Sequence, residues 1–185
     1  MCDAGNLAAF LYLLKNQYDK QYRLILDNIR LVAPFISDLV LEPYGESDDL
    51  ISLRWRQTGC DEIFNASQLS DGTLRFICLA TLLFQPDRFL PFTIVIDEPE
   101  LGLHPYAITV LSDMIKEVSR KVQIIISTQS SELLDEFDAE DILVVETESD
   151  GTKFKRLDPD QLKVWIEDDY CMGDLWKKNI IGGRP

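Results

Sequence analysis

The sequence predicts an α/β fold: a mostly parallel sheet core, a small antiparallel β element and an N-terminal helix. Three observations point there. The runs "TIVI" from Thr93 and "QIII" from Gln123 are continuously apolar, as strands buried on both faces of a parallel sheet are. Helical stretches separate these runs from each other and from a third, "DILVVET", so strand and helix alternate at the spacing of right-handed crossovers. Upstream, Ile51, Leu53 and Trp55 alternate with Ser52, Arg54 and Arg56, the pattern of an antiparallel sheet with one wet face.

From Asn6 to Val32, the residues Leu7, Phe10, Leu11, Leu14, Tyr18, Tyr22, Ile25 and Ile29 recur at three- and four-residue steps. They predict one helix, which Pro34 ends. "DLVLEP" and "LISLRWRQ" read as strands joined by the turn-like "YGESDD". From Asn65, "NASQLSDGT" is polar and loop-like, and Leu74 to Phe84 is apolar enough for a mostly buried helix. Then follow a strand in "FTIVID", a helix from Tyr106 to Val118, a strand in "VQIIIST", a brief helix from Ser131 to Phe137 and the strand "DILVVET". "TKFKRL" pairs with that last strand across "ESDGT", a hairpin turn centred on Asp150 and Gly151. Helices are expected from Asp158 and near Gly173. The whole reads as one domain in three stretches, 1–64, 65–146 and 147–185, with no internal repeat and no low-complexity linker.

Composition narrows the function classes. At 185 residues with 46% hydrophobic and 10% aromatic content, the chain is long and apolar enough to bury a real core. Its longest apolar runs, such as "FICLATLLF", are too short to cross a bilayer, and no signal-peptide pattern opens the sequence. Cys2, Cys60, Cys78 and Cys171 are scattered without paired spacing, which suggests neither zinc nor a disulfide framework and makes a reducing cytoplasm the expected home. The net charge of -14 argues against this chain gripping nucleic acid by itself, because phosphate contacts need a basic surface.

A parallel sheet places its sites just beyond the carboxyl ends of its strands. Asp97 and Glu98 stand at one such end, and Ser127, Thr128 and Gln129 at the next. A strand-terminal Asp holds Mg²⁺, usually through water, and an adjacent Glu orients or deprotonates an attacking water; phosphoryl transfer needs both parts. Strands also end in acids for solvation alone, and these residues by themselves leave both readings open. Earlier in the chain, Ser70 or Asp71 caps the helix that follows, and Gly72 lets backbone come close to a ligand. Free amides and the positive dipole end of a helix suit a phosphate. A plain N-cap explains the same residues, and the Asp71 carboxylate is unfavourable beside an anion.

Order and spacing add to these separate signals. "LSDGT", a helix, "TIVIDEPELGLHP", a helix and "QIIISTQS" together resemble the second half of an ABC-type ATPase head, and more closely the RecF/SMC-like and OLD-like AAA-family ATPases of bacteria. The tail "GDLWKKNIIGGRP" resembles the ending of that bacterial family. The resemblance implies the C-terminal portion of a P-loop ATPase head, with ATP and Mg²⁺ as cofactors. It makes "LSDGT" the signature motif, "TIVIDE" the Walker B strand, "ELGLHP" the D-loop and "STQS" the switch. On that basis Asp97 binds Mg²⁺ through water and Glu98 positions or activates the hydrolytic water. Ser70 and Gly72, flanking Asp71, contact the γ-phosphate of a nucleotide on the opposite subunit. The loop from Gly102 to His104 crosses the dimer interface, and Gln129 senses the γ-phosphate.

Two departures bear on the chemistry. Gln129 stands where most ABC-type proteins carry histidine; it donates a hydrogen bond and orients water but carries no proton, which leaves Glu98 as the base. His104, the lone histidine, is better suited to packing or an interface than to proton transfer. Nor does the sequence contain a G-x-x-x-x-G-K-S/T loop to hold the nucleotide's phosphates. The expectation is therefore a head-to-head dimer of a longer ATPase whose N-terminal half carries that loop, with little turnover from the 185 residues alone. The resemblance extends to DNA repair or to defence against phage or plasmids, with a nuclease partner and nucleic acid met only through the parent protein. A non-catalytic partner that completes a nucleotide site on another phosphate-loop-bearing chain is the alternative; a phospho-acceptor receiver domain, also with a strand-end Asp, gives "LSDGT" and "STQS" no role.

Overall fold

Where the periodicity predicts one helix, the computed structural model has two: α1 (Leu7–Gln17) and α2 (Asp19–Val32). The structure describes residues 5–44, 47–149 and 151–183. The break falls at Tyr18, whose backbone leaves the helical region with φ -137° and ψ 52°. No proline or glycine causes it. Tyr18 is instead docked from outside, its ring edge-on to Phe89 at 5.6 Å and its hydroxyl accepting from Arg88 at 2.8 Å. A tertiary contact of this kind leaves no trace in helical periodicity.

Two compact units make up the chain, Met1–Ile96 with Leu101–Ile125 and Asp97–Glu100 with Ile126–Pro185. In the first, β1 (Ile36–Tyr44) and β2 (Ser47–Gln57) pair antiparallel, as the alternation predicts. Leu39 opposite Trp55 and Leu41 opposite Leu53 share one face, whereas Arg54 and Glu42 form an ion pair on the other. The expected turn between these strands falls on Gly45 and Glu46, which lie outside the described residues. A third strand, β3 (Ile63–Asn65), joins through Trp55 opposite Phe64, with the two rings stacked at 4.8 Å. It was not foreseen, because three residues in a polar setting show no period. Helices α1 and α2 pack on this sheet, and α3 (Asp71–Leu83) packs against both α2 and α4 (Pro105–Ser119). The core there holds Leu11, Leu14, Ile25, Ile29, Ile36, Leu39, Phe76, Ile77 and Leu111.

The parallel element is a pair, β4 (Thr93–Asp97) and β5 (Gln123–Ser127), joined by the crossover helix α4. The expectation that both strands are buried on both faces is overturned. Ile94 is 4% exposed, but Val95 is 72% exposed and Ile125 47%. Alternation along the strands puts Ile94, Ile96, Ile124 and Ile126 on the more covered face, and the apolar side chains of the other face, Val95 and Ile125, stay open. The expected third parallel strand is also corrected. β6 (Leu143–Glu148) pairs antiparallel with β7 (Gly151–Arg156), and the two form a separate sheet. The hairpin expected across "ESDGT" is present, but with Glu148 opposite Gly151, so Gly151 opens β7 and the turn lies one residue earlier than the predicted centre on Asp150 and Gly151; Asp150 itself lies outside the described residues.

In the second unit, α5 is a single turn (Ser131–Leu134), shorter than the predicted Ser131 to Phe137. α6 (Pro159–Glu167) and α7 (Met172–Lys177) follow β7. Val144, Leu157, Leu162, Met172, Leu175 and Ile181 form its core. The tail is held by backbone contacts that require glycine. A Cβ on Gly173 would collide with the Ser131 carbonyl, and Gly173 donates its N–H to Asp135 at 2.7 Å. Gly183, at φ 78°, donates to Glu146 at 2.9 Å and accepts from the Trp176 indole at 3.3 Å.

Leu111→Ala on α4 is expected to cost about 2–5 kcal/mol in urea denaturation, because it empties a fully buried site. Val95→Ala is expected to change stability by less than about 0.5 kcal/mol, as open surface positions do.

Candidate functional site

The strand-end residues meet through the backbone. Gln123 donates its N–H to the Phe92 carbonyl at 3.1 Å, at the start of the β4–β5 pair, and Glu98 donates to the Ser127 carbonyl at 2.8 Å just past its end. Parallel pairing in this register brings the two carboxyl ends level. Asp97 Oδ1 accepts a hydrogen bond from the Ser127 hydroxyl, which holds the exposed carboxylate at the strand tip. Glu98, half-buried, takes a left-handed backbone with φ 43°. A non-glycine residue held there costs on the order of 1–3 kcal/mol and persists where its surroundings demand it. Gln129 is exposed on the loop that follows Ser127.

Two more side chains join this cluster, and the sequence did not single out their pairing. Thr128 donates its hydroxyl to Glu100 Oε1, and the Ser130 N–H donates to Thr128 Oγ1 at 2.9 Å. Ser130 then caps α5 by accepting the Leu133 N–H at 3.2 Å. The signal is a third acid two residues beyond Glu98, behind a proline, at the start of the "ELGLHP" stretch.

The other predicted residues form a second set, within the first unit. Ser70 is the N-cap of α3, accepting the Thr73 N–H at 3.1 Å and sharing a hydroxyl contact with Thr73 at 2.8 Å. Asp71 is the first helical residue, and its carboxylate there suits the helix dipole. The amides of Asp71 and Gly72 have no acceptor within their own helix. Gly72 is packed against Gly102: a Cβ at 72 would collide with the Gly102 carbonyl oxygen. Glycine at 72 is thus required by packing on this loop, a demand that the local sequence does not reveal. Gly102 sits at φ 79°, where a side chain is strained. His104 caps α4, its Nδ1 accepting the Tyr106 N–H at 3.2 Å. That gives the exposed lone histidine a capping task, which the sequence reading, with its choice of packing or an interface, did not name.

Among the described residues no group of three or more His, Cys, Asp or Glu side chains could hold a metal ion. Mg²⁺ asks for less, namely one or two carboxylates with water and phosphate oxygens completing the shell. Asp97, anchored through one oxygen at an exposed strand end, fits that demand. The shifted titrations lie elsewhere in the first unit. Burial, then the neighbouring Asp38, pushes Tyr22 up, and burial raises Cys78 against a smaller lowering by Arg75. Neither behaves as an activated nucleophile.

A family model described as "AAA domain, putative AbiEii toxin, Type IV TA system" matches residues 7–135, well over half of the chain. The comparison with curated proteins found no match. Among solved structures, one from work on ATP-driven dimerization and DNA-stimulated activation of SMC ATPases is 18% identical, with TM-score 0.51, covering 84% of this chain and 98% of the other. The Smc head of Pyrococcus furiosus bound to the C-terminal domain of ScpA is 16% identical, with TM-score 0.62, over 86% of this chain and 40% of that one. The SMC head domain from Thermotoga maritima is 18% identical, with TM-score 0.51, over 82% and 52%. The chain thus spans nearly all of the first and about half of the other two. Identities this low show a shared fold.

Gly72→Ala is expected to cost about 1–3 kcal/mol by thermal or urea melting, since backbone must move to admit the methyl group. Ser70→Ala is expected to cost about 1 kcal/mol through loss of the cap.

Proposed function

The chain belongs to this AAA-domain family, and we propose that it serves as the C-terminal portion of an ATP-hydrolysing head. The observation that carries the reading is the backbone bond from Glu98 to Ser127, which sets an acid pair beside a Gln-bearing loop. Asp97 holds Mg²⁺, which when bound neutralises charge on the phosphates. Glu98 orients the attacking water and takes its proton. Gln129 hydrogen-bonds to the γ-phosphate or to that water, a task that needs a donor and no proton transfer. Ser70 and the first-turn amides of α3 meet the γ-phosphate of a nucleotide on the opposing subunit, and the loop from Gly102 to His104 lies at the dimer interface. The phosphate loop is supplied by a further segment of the parent protein.

The setting belongs to the same proposal: a cytoplasmic dimer serving DNA repair or defence, with a nuclease as partner and nucleic acid met only through the whole assembly. Among the described residues, no helix is long and apolar enough to cross a membrane. A second reading makes the chain a non-catalytic module that completes a nucleotide site on another chain. The missing lysine-bearing glycine loop favours it; the Asp97–Glu98 pair, which a passive module would not need, favours the first.

In the full-length protein, Glu98→Gln is expected to lower ATP turnover by about 10²-fold or more and to trap ATP-bound dimers, read by phosphate release and by size-exclusion with light scattering. Unchanged turnover would remove Glu98 from the mechanism. The 185-residue chain alone is expected to show little turnover; restoration on adding a separately produced phosphate-loop segment supports the enzyme reading, and ATP trapped without hydrolysis supports the module.

A further inference from the structure

Glu100 stands just past the end of β4, five residues before α4 begins, so neither element needs a carboxylate there. One of its oxygens accepts from Thr128. The other, Oε2, is buried with no hydrogen-bond partner among the described residues. Burying a carboxylate oxygen unpaired is costly, and an apolar or smaller side chain would avoid it. The carboxylate is therefore kept for what its bonded oxygen does.

A carboxylate can only accept, so the Thr128 hydroxyl must donate to it. That leaves a Thr128 lone pair for the Ser130 N–H, 2.9 Å away. The relay runs one way, from the Ser130 amide through the Thr128 hydroxyl to Glu100. Its bond to the carboxylate is charge-assisted and so among the stronger kinds. With Ser127 bonded to Asp97 and Ser130 capping α5, every residue flanking Gln129 is anchored, while Gln129 itself stays exposed.

We infer that Glu100 is a positioning residue: through Thr128 it fixes the backbone of Gln129, and so the place of the switch side chain relative to Glu98. This rests on the ATP reading above for its use in turnover, though not for the clamp itself. An amide at position 100 keeps an accepting oxygen and weakens the clamp only partly; removal of the side chain releases the loop.

Two measurements test it. Hydrogen–deuterium exchange on the 185-residue chain, read at the Ser130 amide, is expected to speed up about tenfold in Glu100→Ala and in Thr128→Val, and far less in Glu100→Gln and Thr128→Ser. In the full-length protein, Glu100→Ala is expected to lower kcat by about tenfold with KM little changed, as loss of orientation does, and Glu100→Gln to recover most of it. Unchanged exchange at Ser130 in Glu100→Ala overturns the clamp, whatever turnover does. Faster exchange with unchanged kcat, in a protein that Glu98→Gln still inactivates, overturns its role in the reaction. Turnover that survives Glu98→Gln strikes the ATP reading instead, and the exchange result then decides the clamp independently. Glu100→Gln, nearly the same in shape, guards against a variant that simply unfolds.

Discussion

The parallel pairing of β4 with β5 is the constraint from which the site follows. Two backbone bonds frame it, Gln123 to Phe92 at the start and Glu98 to Ser127 beyond the end. They fix the register, and in a strand a slip of one residue sends every side chain to the opposite face. With the register set, the acids after β4 and the polar loop after β5 arrive at the same level. Ser127 reaches Asp97 and Thr128 reaches Glu100 because the backbone has already placed them. Side-chain chemistry here is a consequence of main-chain geometry.

The second device is close approach of backbone at glycines in the first turns of helices. Gly72 meets the Gly102 carbonyl where a Cβ on Gly72 would not fit, which packs the start of α3 against the loop leading to α4. Gly173 does the same under Ser131 near the tail. Glycine gives up more conformational freedom than other residues on folding, so such contacts cost entropy that surrounding packing must offset. In return each helix start is fixed against its neighbour without long side chains to bridge them. The strain stored at Glu98 has a similar source: the chain turns sharply just where β4 ends, and a residue with a full side chain occupies the turn.

Much of the fold was legible because burial imposes period. The antiparallel pairing of β1 with β2 and the helices α3 and α4 follow from which residues must leave water, and the strands β4 and β5 from their runs of β-branched residues. The misreadings share one cause. The break at Tyr18 depends on Phe89 and Arg88, seventy residues on, and β3 exists because Trp55 offers Phe64 a ring to stack on. Val95 and Ile125 look like core residues by type, yet residue type does not say whether a covering layer is at hand.

The sequence by itself determined the kinds of residue at each strand end, a capped start for α3 at Ser70 or Asp71, and the order of motifs that makes the chain resemble an ATPase head. These are local properties, set by composition and spacing within a few residues. Only the tertiary structure decided that Gly72 packs on Gly102, that Tyr18 docks on Phe89 and Arg88, and that Glu100 grips Thr128. Each joins positions far apart in the chain, and hydrogen bonds and steric contacts at that separation depend on coordinates that no local pattern encodes.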